Sequence, residues 1–344
     1  VSGMKINQKL FLQFGICIIF FCLIGILINN LTINLIRTGL GFNFSWLFKP
    51  ASFALAEHPL PYTSSDSYAW ALVIGWLNSL KVIVSSLILA TFLGTLIGFA
   101  RIGTNSLLGL ISAGYITIIR QTPLLLQLMF WYFVGFLGLK DNMFIQIKNI
   151  LNISNQGIEF LGLTFSSEFL ALLLGLSIFT SAYIAEVIRG GILSVSRGQW
   201  EAFRSLGISE RKGLIRIIIP QALPAIIPGL TSQYLNLAKN STLAIAVGYS
   251  DIYAINDTII NQTGRAIECF IILLTSFLLL NLLISPLHAP KNSSLIFLIL
   301  EGFFIDKMTI VFFDESNLKC ARASDFLLST STSSSRTGFP VNMI

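Results

Sequence analysis

The chain has 344 residues, of which 54% are hydrophobic and only 11% charged, with a mean hydropathy of +0.79. Soluble domains carry about 25% charged residues, so this composition excludes an ordinary water-soluble protein and calls for a surface that faces lipid. The formal net charge of +6 does not mark a nucleic-acid partner, because the Lys and Arg residues sit at the ends of apolar runs and build no basic face.

In chain order, residues 10–28 form an apolar run long enough to cross a bilayer, with Lys5 and Lys9 before it. The run is longer than a signal-peptide core and lacks a small-residue cleavage site, so residues 1–30 are expected to be a retained anchor helix. Residues 31–68 are expected to form a periplasmic loop. Further spans are predicted at residues 82–100, 123–139, 169–188, 217–237 and 267–284. This makes an all-α integral membrane protein of about six transmembrane helices, with residues 69–285 as its core.

Residues 69–80 are apolar enough to extend the second span, and residues 107–119 suit a helix leading into the third. Arg120, Gln121 and Pro123 predict a break between them. Gly94 and Gly98 have the spacing that lets two helices approach closely where lipid offers no hydrophobic drive for association.

Orientation follows from the basic residues, which collect on cytoplasmic loops. Lys5 and Lys9 place the N-terminus in the cytoplasm, and counting crossings puts Arg101 and Arg120 on that side. Arg189, Arg197, Arg204, Arg211, Lys212 and Arg216 then crowd one cytoplasmic loop. Residues 29–68 and 140–168 fall outside.

Bond chemistry finds little support. Cys17, Cys22 and Cys269 lie in apolar runs with no metal-binding spacing, and His58 and His288 are far apart. No glycine-rich phosphate loop with lysine is present, nor paired carboxylates, so no cofactor, no metal and no enzymatic activity are expected.

The basic loop contains Gly198 Gln199 Trp200 Glu201 Ala202 Phe203 Arg204 Ser205 Leu206 Gly207, and then Ile217 Ile218 Ile219 Pro220. It reads as a short amphipathic helix, a glycine stop and a basic stretch re-entering the membrane. A cytoplasmic helix between two spans invites docking.

Charged residues inside spans are costly unless paired or wet. Glu186 and Arg189, three apart on one helical face, can pair locally or join a coupling network. Gln233, Tyr234, Asn236, Lys239, Asn240, Ser241 and Thr242 form a polar stripe at the outer end of the fifth span, suited to a substrate path. Pro220, Pro224, Pro228 and Gly229 make that span a candidate for bending, and a broken helix exposes backbone donors and acceptors.

The basic loop resembles the E-A-A, three residues, G, nine residues, I-x-L-P signature of ABC importer permeases. Glu201, Ala202, Gly207, Ile217 and Pro220 match by spacing, while Phe203 replaces the second alanine and Ile219 the leucine. Residues 120–125 and 185–191 resemble polar amino-acid permeases. Residues 231–249 with 261–264 are similar to the general L-amino-acid permeases of alpha-proteobacteria. The resemblance implies an importer-type permease core with a cytoplasmic coupling helix, and no catalysis in this subunit. It also implies four kinds of partner: an ATP-binding subunit dimer, a second homologous permease, a periplasmic amino-acid-binding protein and the lipid bilayer of the inner membrane.

The segment 141–168 is shorter than the resemblance leads one to expect, which leaves six helices instead of eight. The resemblance stops near Leu283. Residues 286–344 read as an atypical tail, foreign to the permease core, as a shifted reading frame would produce. Its apolar stretch 295–313 is interrupted by Glu301, Asp306 and Lys307. A secondary transporter or channel is the alternative function, and it has no use for a coupling loop. A membrane enzyme would need clustered ionisable groups, and a scaffold would not need the polar stripe.

Overall fold

The computed structural model describes residues 6–37, 39, 41–138, 145–147, 151–154, 156–160 and 163–284. The expected tail 286–344 and Lys5 lie outside the described residues.

Helix α1, Ile6–Arg37, runs past the expected boundary at residue 30. None of its apolar stretch Gln13–Asn34 is buried, and Phe21 and Leu27 are 68% and 67% exposed. Among the described residues nothing buries this stretch, and a helix apolar on all faces suits a lipid surrounding. The following loop folds back onto the bundle. Trp46, Tyr62 and Tyr68 are buried with Ile252, Ile255 and Ile259 in one cluster. Arg265 ties the start of the loop to this cluster, its Nη1 donating to the Gly41 carbonyl at 3.2 Å and to buried Glu268 at 2.9 Å.

Helix α2, Tyr68–Ile102, is 35 residues long, so the apolar stretch before residue 82 does extend the second span. Ser67 caps its start by accepting from the Trp70 N–H. Asn105 then caps α3, Ser106–Gln121, by accepting from the Leu107 and Leu108 N–H groups. The predicted break falls at Thr122 and Pro123. Beyond it, α4, Leu124–Met129, continues as π-helix over Phe130–Phe136. Gln127 bridges the break, donating to the Ile119 carbonyl at 3.0 Å and to Thr122 Oγ1 at 2.6 Å.

The third expected span is therefore short and broken. Among the described residues, five helices are long and apolar enough to cross a membrane, and Leu124–Phe136 is shorter. Arg101 and Arg120 are both expected on the cytoplasmic side. α3 lies between them, about 24 Å long at 1.5 Å per residue, and the Arg120 guanidinium stacks on Tyr183 near the middle of the next long helix.

A sheet occupies the segment expected to be a plain external loop. β1 Ile145–Ile147, β2 Leu151–Ser154, β3 Gly157–Phe160 and β4 Leu163–Ser166 form an antiparallel meander in the order β1-β2-β3-β4. Register pairs include Asn152 with Glu159 and Ile158 with Phe165. The alternation Gly-Ile-Glu-Phe and Leu-Thr-Phe-Ser has the two-residue period of strands, which a search for membrane-length apolar runs passes over.

Helix α5, Ser167–Leu193, is capped by Ser166 and packs along α2 as the centre of the bundle. The two run in parallel and touch at Gly94 and Gly98. A Cβ on Gly94 would stand 2.6 Å from Ile184, and one on Gly98 3.1 Å from the Ala185 carbonyl. The glycine spacing thus serves contact within this chain, since only hydrogen at those positions permits the approach.

The basic loop forms α6, Arg197–Ser205, and α7, Glu210–Gly213, followed by a π-helical turn, Leu214–Ile218. Helix α8, Ile219–Asn240, packs on α5. It passes through Pro224 and Pro228 uninterrupted, and the change of helix type comes later, where Ser241–Val247 tightens into a 3-10 helix. Helices α9, Ile252–Thr263, and α10, Ala266–Ile284, complete the described fold.

Candidate functional site

The first candidate surface is α6. Its two aromatic residues face the bundle: Phe203 is 1% exposed, Trp200 is half-buried, and their ring centroids are 5.9 Å apart. Glu201, Ala202 and Ser205 face away and are exposed. The three-residue spacing from Trp200 to Phe203 puts both rings on one face, so burial fixes which residues are offered outward.

The glycine stop works as the spacing implies. Gly207 has φ +70°. Its N–H donates to the Arg204 carbonyl at 3.0 Å, and the Ile208 N–H to the Phe203 carbonyl at 3.1 Å. This double closure satisfies the last carbonyls of α6 and needs a left-handed residue at position 207. Ile208 joins Phe203 in the core, as the closure favours. Leu206 is left 76% exposed beside Gly207, an apolar side chain on the outer face.

Two contacts tie α6 to α7, and a third ties it to the start of α8. Phe203 lies against Gly213, where a Cβ would stand 2.4 Å from the ring. Arg204 Nε donates to Glu210 Oε1 at 2.7 Å. Gln221 Nε2 donates to Gln199 Oε1 at 3.2 Å. Ile217 is half-buried in the π-helical turn, and Pro220 is exposed in the first turn of α8, where a missing N–H costs nothing.

The second candidate is a cavity of about 300 Å³ between α5 and α8. Gln233, Asn236, Lys239 and Asn240 line it from α8, and Phe179, Thr180 and Tyr183 from α5. The structure thus brings together four of the seven residues of the polar stripe. The other three point elsewhere. Tyr234 shares a hydrogen bond of 2.6 Å with Thr91 of α2. Ser241 is buried and donates to the Ala238 carbonyl, while Thr242 donates to the Lys239 carbonyl. Period 3.6 separates the two groups, because residues 233, 236 and 240 share a face of α8 and 234 and 241 lie on its neighbour. Sequence reasoning missed the α5 wall, although Thr180 and Tyr183 stand out as polar groups in an apolar span.

Glu186 and Arg189 form a local pair on α5, Oε2 to Nε 2.5 Å, with both side chains about one-third exposed. This is the local pairing their spacing allows. They do not line the cavity. Among the described residues no three His, Cys, Asp or Glu side chains come together as a metal site.

Residues 90–289 match the family described as "Binding-protein-dependent transport system inner membrane component". The chain is 34% identical, over an alignment of 351 positions, to the "Putative amino-acid ABC transporter permease protein YhdX" of Escherichia coli, covering 78% of this chain and 89% of that one. It is 32% identical to the "General L-amino acid transport system permease protein AapQ" of Rhizobium johnstonii, covering 75% and 84%. Among solved structures, an amino acid ABC transporter crystallised with histidines superposes with a TM-score of 0.52 at 28% identity, covering 65% of this chain and 94% of that one. The extent of the family match, the identities and the shared helical core lead to one conclusion: the chain belongs to the family of binding-protein-dependent transport system inner membrane components, as a multi-pass permease subunit of the inner membrane.

Proposed function

We propose that this chain is the membrane-spanning half of an ATP-driven importer of L-amino acids. The amino-acid assignment is supported by the relatives, which are named as amino-acid permeases. ATP hydrolysis belongs to a separate pair of ATP-binding subunits, and a binding protein delivers the substrate on the periplasmic side. A second homologous permease completes the path, and the N-terminus lies in the cytoplasm.

The observation that carries the reading is the two-sided build of α6. It is tied to α7 through Phe203 and Arg204 and to the start of α8 through Gln199, and its outer face offers Glu201, Ala202, Leu206 and Gly207 to a partner. The other end of α8 carries Gln233, Asn236, Lys239 and Asn240 into the cavity. A push or pull on α6 is therefore a displacement of one cavity wall against α5. Nucleotide binding biases the arrangement of the two permeases, and hydrolysis releases it, by a differential interaction at this docking surface. Lys239 and the side-chain amides supply donors for a carboxylate, and the amide and hydroxyl oxygens supply acceptors for an ammonium.

Uptake of labelled L-amino acids by cells carrying the complete transporter tests the reading. Glu201→Arg is expected to abolish uptake at normal membrane abundance. Unchanged uptake would remove the warrant for docking through α6.

A further inference from the structure

The cavity between α5 and α8 is cationic. Among the described residues, Lys239 is the one charged residue in its lining, which contains no Asp or Glu. Lys239 makes no ion pair among the described residues. One wall residue, Tyr183, carries the Arg120 guanidinium 5.0 Å from its ring centroid, so a second positive charge lies next to a lining residue. The carboxylate closest in sequence to Tyr183 along α5, Glu186, is already bound to Arg189.

We infer that this cavity selects by carboxylate count, with Lys239 reading the anion and Arg120, held on Tyr183, acting as a positioning residue that keeps the wall positive. The inference rests on the amino-acid importer reading and deepens it. A zwitterion places its α-carboxylate on Lys239, and its ammonium has only neutral oxygens, from Gln233, Asn236, Asn240 and Thr180. A second carboxylate on the side chain gains from the same positive potential. A side-chain cation meets like charge, and the lining holds no carboxylate to offset it. Acidic amino acids are therefore preferred over neutral ones, and basic ones are rejected. The volume of about 300 Å³ lies at the small end of ligand sites, in keeping with a single amino acid.

The test is direct binding of labelled L-glutamate, L-glutamine and L-arginine to the complete transporter in nanodiscs, without the binding protein, so that the selectivity measured is that of the membrane subunits. Glutamate is expected to bind about tenfold or more tighter than arginine, with glutamine between. Lys239→Met is expected to collapse the glutamate-to-glutamine ratio, Lys239→Arg to restore it, and Arg120→Gln to reduce it while glutamine binding persists. Arginine binding as tightly as glutamate would overturn the inference, as would Lys239→Met weakening glutamate and glutamine by the same factor. Failure of the importer reading looks different: none of the three amino acids binds, and the binding protein does not stimulate ATP hydrolysis.

Discussion

The ring of Phe203 rests on the backbone of Gly213, so close that a Cβ on the glycine would stand 2.4 Å from the ring carbon Cδ2. The signature that the basic loop resembles has alanine at the position of Phe203, and Gly213, ten residues later, makes room for the larger side chain. Gly213→Ala is expected to push α6 off its seat, with loss of ATP-driven uptake and of thermal stability. Phe203→Ala alone is expected to cost about 3–5 kcal/mol, the usual range for emptying a buried phenylalanine site. The double variant should be less damaged than the two single effects added together, because each change relieves the other. Unfolding midpoints of the three purified complexes decide this, and strict additivity would refute the contact.

Gly207 closes α6 in the left-handed region at φ +70°. Gly207→Val places a β-branched side chain there at a cost of about 1–2 kcal/mol. Nothing lies within 4 Å of the added Cβ, so the damage is conformational. Uptake should fall while membrane abundance stays near normal. Gly207→Asn, which tolerates this region, should retain most of the activity.

The α2–α5 contact predicts a different failure. Gly94→Val must displace Ile184, whose Cβ and Cγ2 lie 2.6 Å from the new Cβ position, with the Ser181 carbonyl at 2.9 Å. Overpacking of this kind costs about 1–3 kcal/mol. Because the site is the centre of the bundle, the variant should be depleted from the membrane before any uptake defect is measurable. Immunoblots of membrane fractions check this.

Asp251 caps α9, its Oδ1 accepting from the Ala254 N–H at 2.8 Å, and it is only 1% exposed. Burial raises its carboxyl pKa to about 7, against the opposing pull of backbone hydrogen bonds. The folded state therefore holds this proton more tightly than the unfolded chain does. Its contribution to stability is complete below the ordinary carboxylate range and is lost as pH rises through about 7. The unfolding midpoint should decline from about pH 5 to about pH 8. Asp251→Asn keeps the capping oxygen and removes the titration, so its midpoint should decline less over the same range. An identical slope in both proteins would assign the pH dependence to other groups.

Much of the geometry of α6 was readable from the sequence alone. The spacing from Glu201 to Pro220 identified the loop, and Gly207 as its stop, because capping is a local backbone property. The spans at residues 169–188, 217–237 and 267–284 were readable for a similar reason, since hydrocarbon demands long apolar runs. The meander at residues 145–166 was not, because its strands are three or four residues long and stabilise one another only through pairing.

By itself, then, the sequence determined the membrane environment, the helical class, the short amphipathic helix of the basic loop and the family, all of which follow from composition, period and fixed local spacing. Only the tertiary structure decided which polar residues meet. It turned Tyr234 toward Thr91 and Ser241 into the protein, set Lys239 opposite Tyr183, and brought Arg120 to that ring from a helix end expected at the membrane surface. The physical reason is that a helix face is chosen by what packs against it. Here the glycines of α2 admit α5, α8 packs on α5, and that rotation determines which side of the polar stripe opens onto a cavity.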